Sequence, residues 1–349
     1  MTGNLDYFVA RLHGKRSSMA EGDRLDSLTR LRSLPEFTRA IFPEREFQGT
    51  ADFQRLLIEE LAREFSGFPG HLDRAERHLI DWMPARLEAE NIKVLLRACI
   101  TKIPLEEVTQ RLVPLPGQTP AVVESLVRAP TLSDFVMLLP FGPLRKGLEK
   151  AIRDHGEDVR PFFLEAALDS GYLRELATRL TLLSSRDRQE VEGVICQEVD
   201  IFHLMLVLRG KFNYGLAADQ LLSFHVPGAR IPHAVLAAML DDHDPWIAVG
   251  RAVMRAIDPL PVEGALSESS SAIQIPFIED LAWRRYHRLA NTAFRRSHMG
   301  FGVVVGYVAL RRLEVANLIT ISEGIRTGAG EDIIRTRMVP RVEREASHA

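Results

Sequence analysis

Three stretches of the chain carry the same pattern of polar and apolar residues, and this internal repeat constrains the fold more than any other feature. The first and last copies align without a gap, with Glu88 on Glu314, Asn91 on Asn317 and Pro114 on Pro340. The copies are about 112 residues apart. A repeat of this length is too long for a solenoid of helical pairs and has the size of a small domain.

A middle copy lies between these two. Asp200 matches Glu88, His203 matches Asn91 and Arg209 matches Arg97, and the copy ends at Val226-Pro227 with one inserted residue. We therefore predict three similar domains, 1–117, 118–228 and 229–349. Three such domains can enclose a central axis with approximate threefold symmetry, although the sequence does not require that closure.

The spacing of apolar residues predicts helices almost everywhere. Phe53, Leu57, Leu61 and Phe65 recur every four residues, and Thr50 before them is a predicted N-cap. No stretch alternates polar and apolar residues as a half-buried strand would, and Asn-Gly and Asp-Gly hairpin turns are missing from the sequence. The predicted fold class is all-α, with an irregular segment at 258–271 and a frayed, charged tail from residue 341.

Two shorter patterns predict local geometry. Ser33 to Glu36 and Thr131 to Asp134 both have the form of a capping box that opens a short helix, and the third repeat lacks it. The glycine-rich run 300–307 is too short to span a membrane, and small residues also permit close contact between soluble helices. We interpret this run as the tightly packed start of a helix.

Composition limits the possible functions. The net charge of −3 gives no global attraction to nucleic acid or to anionic lipid. The two cysteines, Cys99 and Cys196, are far apart inside apolar stretches, which excludes a disulfide framework and is typical of core residues in a reducing compartment. The N-terminus lacks the pattern of a signal peptide, and the longest apolar run, 299–310, is about half the length of a membrane crossing.

Sites for catalysis or cofactors find little support in the sequence. The acidic run Asp241-Asp242-His243-Asp244 offers metal ligands or an acid–base pair, and an all-helical enzyme built on it is one alternative. The run also precedes Pro245 at a predicted helix end, where acidic residues commonly serve as caps, and we favour that interpretation. Phosphate-binding glycine motifs fail on inspection. We predict no catalytic residue, no cofactor and no metal.

The polar residues of the repeats are candidate structural or interface positions. Because Glu88 and Asn91 are three residues apart, they share one face of a helix. Buried Asn and Glu side chains usually satisfy backbone groups nearby, which favours a structural role over chemistry. The full set is Glu88, Asn91, Arg97, Asp200, His203, Arg209, Glu314 and Asn317.

A basic amphipathic helix is predicted over 281–298. At about 100° per residue, five arginines fall within one third of its circumference and the apolar side chains lie opposite. These arginines are Arg284, Arg285, Arg288, Arg295 and Arg296. The face fits acidic residues of a partner or lipid headgroups, and the alternative is a solvated face over a core stripe.

The repeats also carry a resemblance to a known family. The segment 307–318, followed by Ile321 and Gly324, resembles the C-terminal motif of the C-subunit family of V/A-type rotary ATPases, whose vacuolar equivalent is the d subunit. The segments 90–97, 208–211 and 7–12 are similar to other parts of that family. The resemblance runs through essentially the whole chain and rests on the threefold set in the right order.

The resemblance implies a funnel of three helical bundles. Such a funnel would sit on the membrane proteolipid ring, receive the rotor shaft in its cavity and transmit torque without an active site, a cofactor or nucleic acid. It would be cytoplasmic and peripheral on the inner face of the membrane, coupled to proton or sodium transport. Arg312, Ile319 and His203 depart from the residues usual in the family. The alternative is a helical scaffold for another elongated helical partner.

Overall fold

The computed structural model describes residues 3–115, 119–156, 159–259 and 275–340. Within these ranges the chain forms α-helices, one 3₁₀ turn and one π-helix, and it contains no β-strand beyond an isolated bridge between Val253 and Ile257. The all-α prediction is confirmed. The predicted irregular segment falls largely outside the described residues, and the tail from residue 341 lies wholly outside them.

Among the described helices, none combines the length and the apolar character that a bilayer crossing requires.

Contacts divide the chain into two compact units. The first unit combines residues 1–73 with residues 286–349, so it draws on both ends of the chain. Its described elements are α1 (Gly3–Arg16), α2 (Gly22–Thr29), α3 (Leu34–Ile41), α4 (Thr50–Ser66), the 3₁₀ turn Pro69–His71, the second half of α16 (Ile275–Arg296), α17 (Phe301–Arg326) and α18 (Glu331–Thr336).

The second unit is continuous in sequence and spans Arg74–Arg285. Its described helices are α5 (Arg74–Ile80), α6 (Ala85–Thr101), α7 (Leu105–Arg111), α8 (Pro120–Val127), α9 (Leu132–Leu138), α10 (Pro143–His155), α11 (Pro161–Thr181), α12 (Ser185–Met205), the π-helix Leu206–Asn213 that continues α12, α13 (Ala218–Leu222), α14 (His233–Asp241), α15 (Pro245–Ala252) and the first half of α16.

Helix α17 is the core of the first unit. Its residues 301–310 are all buried, and a helix that is apolar all round must be enclosed by its neighbours. Those neighbours are α4, α1, α3 and α18. The last long helix of the chain is therefore buried largely by helices from the beginning of the chain.

Glycines bring α17 against the second half of α16. A Cβ on Gly306 would lie 2.7 Å from the backbone nitrogen of Phe294 and 2.8 Å from the carbonyl oxygen of Ala290. A Cβ on Gly302 would lie 3.1 Å from the carbonyl oxygen of Ala293. The prediction that this run is a tightly packed helix start is confirmed, because the backbones approach more closely than any side chain permits.

The second unit has an analogous close contact between α10 and α11. A Cβ on Gly147 would lie 2.6 Å from the carbonyl oxygen of Ala167, and one on Gly171 would lie 2.9 Å from that of Pro143. Helix α11 also packs on α12 and α6. This pair of helices therefore forms a rigid seam in the core of the unit.

The predicted caps of the short helices are confirmed. The Ser33 hydroxyl accepts from the backbone N–H of Glu36, and the Thr131 hydroxyl accepts from that of Asp134. The cap predicted at Thr50 is wrong, since Gly49 occupies the N-cap position and Thr50 is the first helical residue.

The predicted division into domains 1–117, 118–228 and 229–349 stays a prediction. Residues 116–118, where the first boundary falls, lie outside the described residues.

Candidate functional site

In the first and third repeats, an asparagine side chain binds the backbone of a distant valine through two hydrogen bonds. We call this arrangement the clamp. The Asn91 amide nitrogen donates to the carbonyl of Val113 at 2.7 Å, and the N–H of Val113 donates back to the amide oxygen at 2.9 Å. In the third copy Asn317 makes the equivalent bonds with Val339 at 2.9 and 3.0 Å. In both copies the clamped valine lies 22 residues beyond the asparagine and precedes a proline.

The middle repeat keeps half of this clamp. The His203 side chain is fully buried, and its Nε2 accepts from the N–H of Val226 at 2.9 Å. Accepting at Nε2 places the proton of the neutral ring on Nδ1, which has no hydrogen-bond partner among the described residues. The clamped valine is here 23 residues away, and the extra residue falls in the stretch that contains the π-helix Leu206–Asn213. A π-helix takes one more residue per turn, so this geometry accommodates the insertion seen in the sequence.

The acidic residues of the repeats have different surroundings in each copy. Asp200 is fully buried and accepts from the N–H groups of Arg230 and Ile231 at 3.2 and 2.8 Å. Glu314 accepts from the N–H of Ala20 at 2.5 Å. Glu88 is half-buried, and burial raises the pKa of its carboxyl. Asp200 and Glu314 thus hold chain segments that lead into short helices, as part of the scaffold.

In each repeat, one polar side chain also contacts the side chain of the fifth residue of a long helix. Arg97 pairs with Glu165 of α11 at 2.6 Å, and Arg209 pairs with Glu279 of α16. In the third copy the matching residue is Glu323, which accepts from Gln54 of α4 at 2.7 Å. These contacts give α4, α11 and α16 equivalent positions beside the three repeated segments. Exposed pairs of this kind contribute little energy, so they set register more than stability.

The predicted arginine face is not a single exposed surface. Arg285 is buried, where it donates to Gln197 at 3.1 Å, to the carbonyl of Met254 at 3.2 Å and to Asp258. It therefore serves the core of the second unit, and its assignment to an exposed face was wrong. Arg284 is half-buried and pairs with Asp280 at 3.0 Å.

The remaining three arginines of this helix do lie at the surface. Arg288, Arg295 and Arg296 are exposed on the second half of α16. They are the part of the predicted face that is accessible on the first unit.

The acidic run 241–244 is engaged in local structure. Asp244 caps α15 by accepting from the N–H of Trp246 at 2.7 Å. Asp242 pairs with Arg251 at 2.7 Å, and this hydrogen bond lowers the pKa of the carboxyl. These contacts match the interpretation of the run as caps and turns.

Both cysteines are buried thiols beside backbone carbonyls. The sulfur of Cys99 lies 3.6 Å from the carbonyl oxygen of Ala129, and that of Cys196 lies 3.2 Å from that of Gly228. Burial raises the pKa of the Cys196 thiol to about 12. A thiol in this state is a poor nucleophile.

Sequence reasoning missed a buried charge cluster in the first unit. Glu64 of α4 accepts from Lys15 of α1 at 2.5 Å and from the hydroxyl of Tyr307 at 2.9 Å, and it pairs with Arg311 at 3.3 Å. Burial alone would raise the pKa of Glu64, but the hydrogen bonds from Lys15 and Tyr307 lower it. The cluster joins α1, α4 and α17. Its members are scattered over the sequence, and of them Tyr307 and Arg311 lie in the motif segment 307–318 while Lys15 and Glu64 lie in no motif.

A family comparison covers nearly all of these positions. The model of the family described as ATP synthase (C/AC39) subunit matches residues 8–337 of the chain. The chain belongs to this family. The resemblance stated from the sequence is confirmed, and the match takes in all of the polar repeat residues from Glu88 to Asn317.

Relatives align with most of the chain at low sequence identity. The C subunit of the A-type ATP synthase of Methanosphaera stadtmanae is 23% identical over 328 residues, which cover 92% of this chain and 83% of that protein. The C subunit of the V-type ATP synthase of Deinococcus radiodurans is 23% identical over 340 residues, covering 93% and 88%. The A-type C subunit of Haloferax volcanii is 21% identical over 354 residues, covering 96% and 97%.

Proposed function

We propose that this C/AC39 family member is the non-catalytic central-stalk connector of a V/A-type rotary ATPase. It links the rotor shaft to the membrane proteolipid ring and transmits torque for ATP-coupled proton or sodium transport. It is held at the inner face of the membrane through the complex. The observation that carries the proposal is the family match over residues 8–337, together with relatives named as the C subunits of A-type and V-type ATP synthases.

The packing of the helices supports a mechanical role. A part that transmits torque has to be stiff, and close-packed interiors transmit strain. Backbone contact at Gly306 and Gly147 leaves no space for sliding between the paired helices. The Asn91 and Asn317 clamps fix the segments that leave each long helix. These devices resist deformation within each unit.

The proposal assigns no chemical step to this chain. The candidate acid–base residues Asp242 and Asp244 are committed to an ion pair and a helix cap. The Cys196 thiol is held protonated by burial. A connector that works by contact alone accounts for these residues without a substrate.

Arg288, Arg295 and Arg296 supply a candidate contact with a stalk partner. They are exposed on one helix of the first unit, where cations attract acidic side chains and accelerate association. We assign this surface to the rotor shaft.

The test is a pull-down of the tagged chain from its own membranes in mild detergent, with partners identified by mass spectrometry. We expect the ATPase head proteins, the shaft and a small proteolipid to be recovered together. An Arg295→Glu, Arg296→Glu double variant should recover less shaft. The matched control is Arg186→Glu, whose side chain is 81% exposed on α12 of the second unit.

Recovery of the chain alone from the soluble fraction would overturn the connector role. Recovery with an elongated helical protein unrelated to the ATPase would favour the scaffold alternative. If the double variant recovers as much shaft as the Arg186→Glu control, the assignment of the arginine surface fails and the connector role stays intact.

A further inference from the structure

An exposed apolar tip lies at the end of α9 and in the segment that leads to α10, in the second unit. Phe141 is 76% exposed, Met137 is 65% exposed and Leu138 is 48% exposed. They lie within five consecutive positions, so the exposed surface is continuous in sequence. Contiguous apolar surface of this kind marks a site of contact with a protein or a membrane.

The internal repeat shows that the fold does not require this exposure. The loop follows the short helix α9, and the equivalent loops follow α3 and α14. When Ser33 is aligned with Thr131, Met137 falls on Arg39, Leu138 on Ala40 and Phe141 on Pro43. None of these is a large apolar residue, so the repeated fold does not require an apolar tip in the middle copy.

A pocket with unbalanced positive charge adjoins the tip. It has a volume of about 290 Å³ and lies between α10 and α11, with Lys146, Lys150, Arg174, Asp154 and Glu175 among its lining residues. Asp154 is paired with Lys150, and Glu175 is paired with Arg179 at 2.8 Å. Both acids of the pocket are therefore paired with cations other than Lys146 and Arg174.

Lys146 and Arg174 have no carboxylate partner among the described residues. The Arg174 guanidinium donates to the carbonyls of Ser223 at 3.4 Å and His225 at 2.5 Å. Partial desolvation without a counter-charge lowers the pKa of Arg174, whose side chain remains exposed at the pocket. An anion in the pocket would supply the missing negative charge. The volume is at the lower end of the range for ligand pockets and suits a small phosphate-bearing group.

Lys146 connects the pocket with the tip. Its ammonium lies 4.9 Å from the centroid of the Phe141 ring, and the guanidinium of Arg145 lies 6.0 Å from the same ring. Cations around an exposed aromatic ring, beside further exposed apolar side chains, are the arrangement that anchors proteins in the interface of an anionic membrane.

We propose that the α9–α10 tip and the adjoining pocket form a binding site for an anionic phospholipid. The phosphate of the headgroup enters the pocket against Lys146 and Arg174. Phe141, Met137 and Leu138 enter the boundary between headgroups and acyl chains. This contact is direct between chain and lipid, and it stands or falls independently of the connector role.

The test is flotation of the full-length chain with vesicles of phosphatidylcholine alone or of an equimolar mixture with phosphatidylglycerol. We expect binding to the anionic vesicles and little to the neutral ones. Lys146→Ala should weaken binding about fivefold, because that is the contribution of one cation to the affinity for an anionic surface. Phe141→Ser should weaken binding about tenfold or more, because the variant has no large apolar side chain to transfer from water into the membrane.

Matched controls separate the site from general effects. Arg186→Ala removes a cation and Ile247→Ser removes a 56% exposed apolar side chain elsewhere on the second unit, and both should bind as the unmodified chain does. Because Phe141 and Lys146 are exposed, their variants should keep the melting temperature of the unmodified chain.

Four results would overturn the proposal. The first is equal binding to neutral and anionic vesicles, and the second is an effect of Lys146→Ala no larger than that of Arg186→Ala. The third is a rise of the melting temperature with inorganic phosphate that Lys146→Ala abolishes, without any vesicle binding, which would make the pocket a site for free phosphate. The fourth is loss of proteolipid recovery by Phe141→Ser without vesicle binding, which would make the tip a protein contact.

Discussion

Asparagine suits the repeated clamp because its amide places a donor NH₂ group and an acceptor oxygen side by side in a fixed geometry. A valine that precedes a proline presents one N–H and one carbonyl, and Asn91 and Asn317 each satisfy both. A neutral imidazole offers its donor and acceptor on opposite sides of the ring, so His203 satisfies the N–H of Val226 alone. The substitution in the middle copy therefore keeps the position of the chain and loses one bond.

Replacing a clamp asparagine should destabilise its unit. Asn317→Leu leaves the N–H and carbonyl of Val339 without their partner, and we expect a loss of roughly 1–3 kcal/mol in the free energy of unfolding. Urea unfolding followed by circular dichroism measures it. Asn213→Leu, at an exposed position, is the matched control and should change the midpoint little. An unchanged midpoint for Asn317→Leu would show that the amide contributes nothing to stability.

His203 and Asp200 titrate in opposite senses. Burial lowers the pKa of His203 from 6.5 to about 3. Between these values the unfolded chain binds a proton that the folded chain does not bind, so stability falls as the pH falls. Burial raises the pKa of Asp200 from 3.8 to about 7, so there the folded chain holds the extra proton, and stability falls as the pH rises. The two effects oppose each other over the range that both windows share.

His203→Asn should therefore uncover the contribution of the histidine. Relative to the unmodified chain, the variant should gain about 1.4 kcal/mol for each pH unit below 6.5. The free energies of unfolding in urea at pH 7 and pH 5 measure this, and the difference between variant and unmodified chain should change by about 2 kcal/mol. A difference that does not depend on pH would mean that His203 titrates alike in the folded and unfolded chain.

At the scale of elements, helix positions were predictable and the partners of side chains were not. The spacing of polar and apolar residues alone predicted the helices, the two capping boxes and the correspondence of Asn91 with Asn317. It missed that Val113 is the clamped residue, although a valine before proline at a fixed distance was the available signal. It also placed Arg285 on the surface, because an angle around α16 does not reveal that Gln197 and Asp258 lie on that side.

The backbone contact between α16 and α17 predicts a sharp effect of one methyl group. Gly306→Ala would place a Cβ 2.7 Å from the backbone nitrogen of Phe294, which cannot move without shifting the helix. We expect a loss of about 1–3 kcal/mol or more in the free energy of unfolding, measured by urea or thermal denaturation.

Gly14→Ala in α1 is the matched control for Gly306. Nothing lies within 4 Å of its added Cβ, so it should stabilise the chain by about 0.5–1 kcal/mol through helix propensity. Equal effects of the two substitutions would mean that α16 and α17 do not approach as closely as this packing requires.

At the scale of the whole molecule, the first unit is assembled from both ends of the chain. A division of the sequence into successive thirds follows the repeats but gives no sign that α17 is covered by α1 and α4. That information resides in contacts such as those of Glu64 with Lys15, Tyr307 and Arg311, which are separated by up to 247 residues. Long-range pairing of this kind leaves no periodic pattern in a single sequence.

Removal of residues 1–73 should therefore unfold one unit and spare the other. Helix α17 would lose α1, α3 and α4 and expose an apolar surface that water cannot solvate favourably. We expect amide hydrogens of α17 to exchange rapidly in the shortened chain, while those of α12 in the second unit keep their protection as an internal control. Hydrogen exchange read by mass spectrometry measures both helices in one sample, and addition of residues 1–73 as a separate peptide should restore protection to α17. Persistent protection of α17 without residues 1–73 would mean that the C-terminal helices form a core by themselves, and that the two ends of the chain are held together by weaker contacts than the buried Glu64 cluster implies.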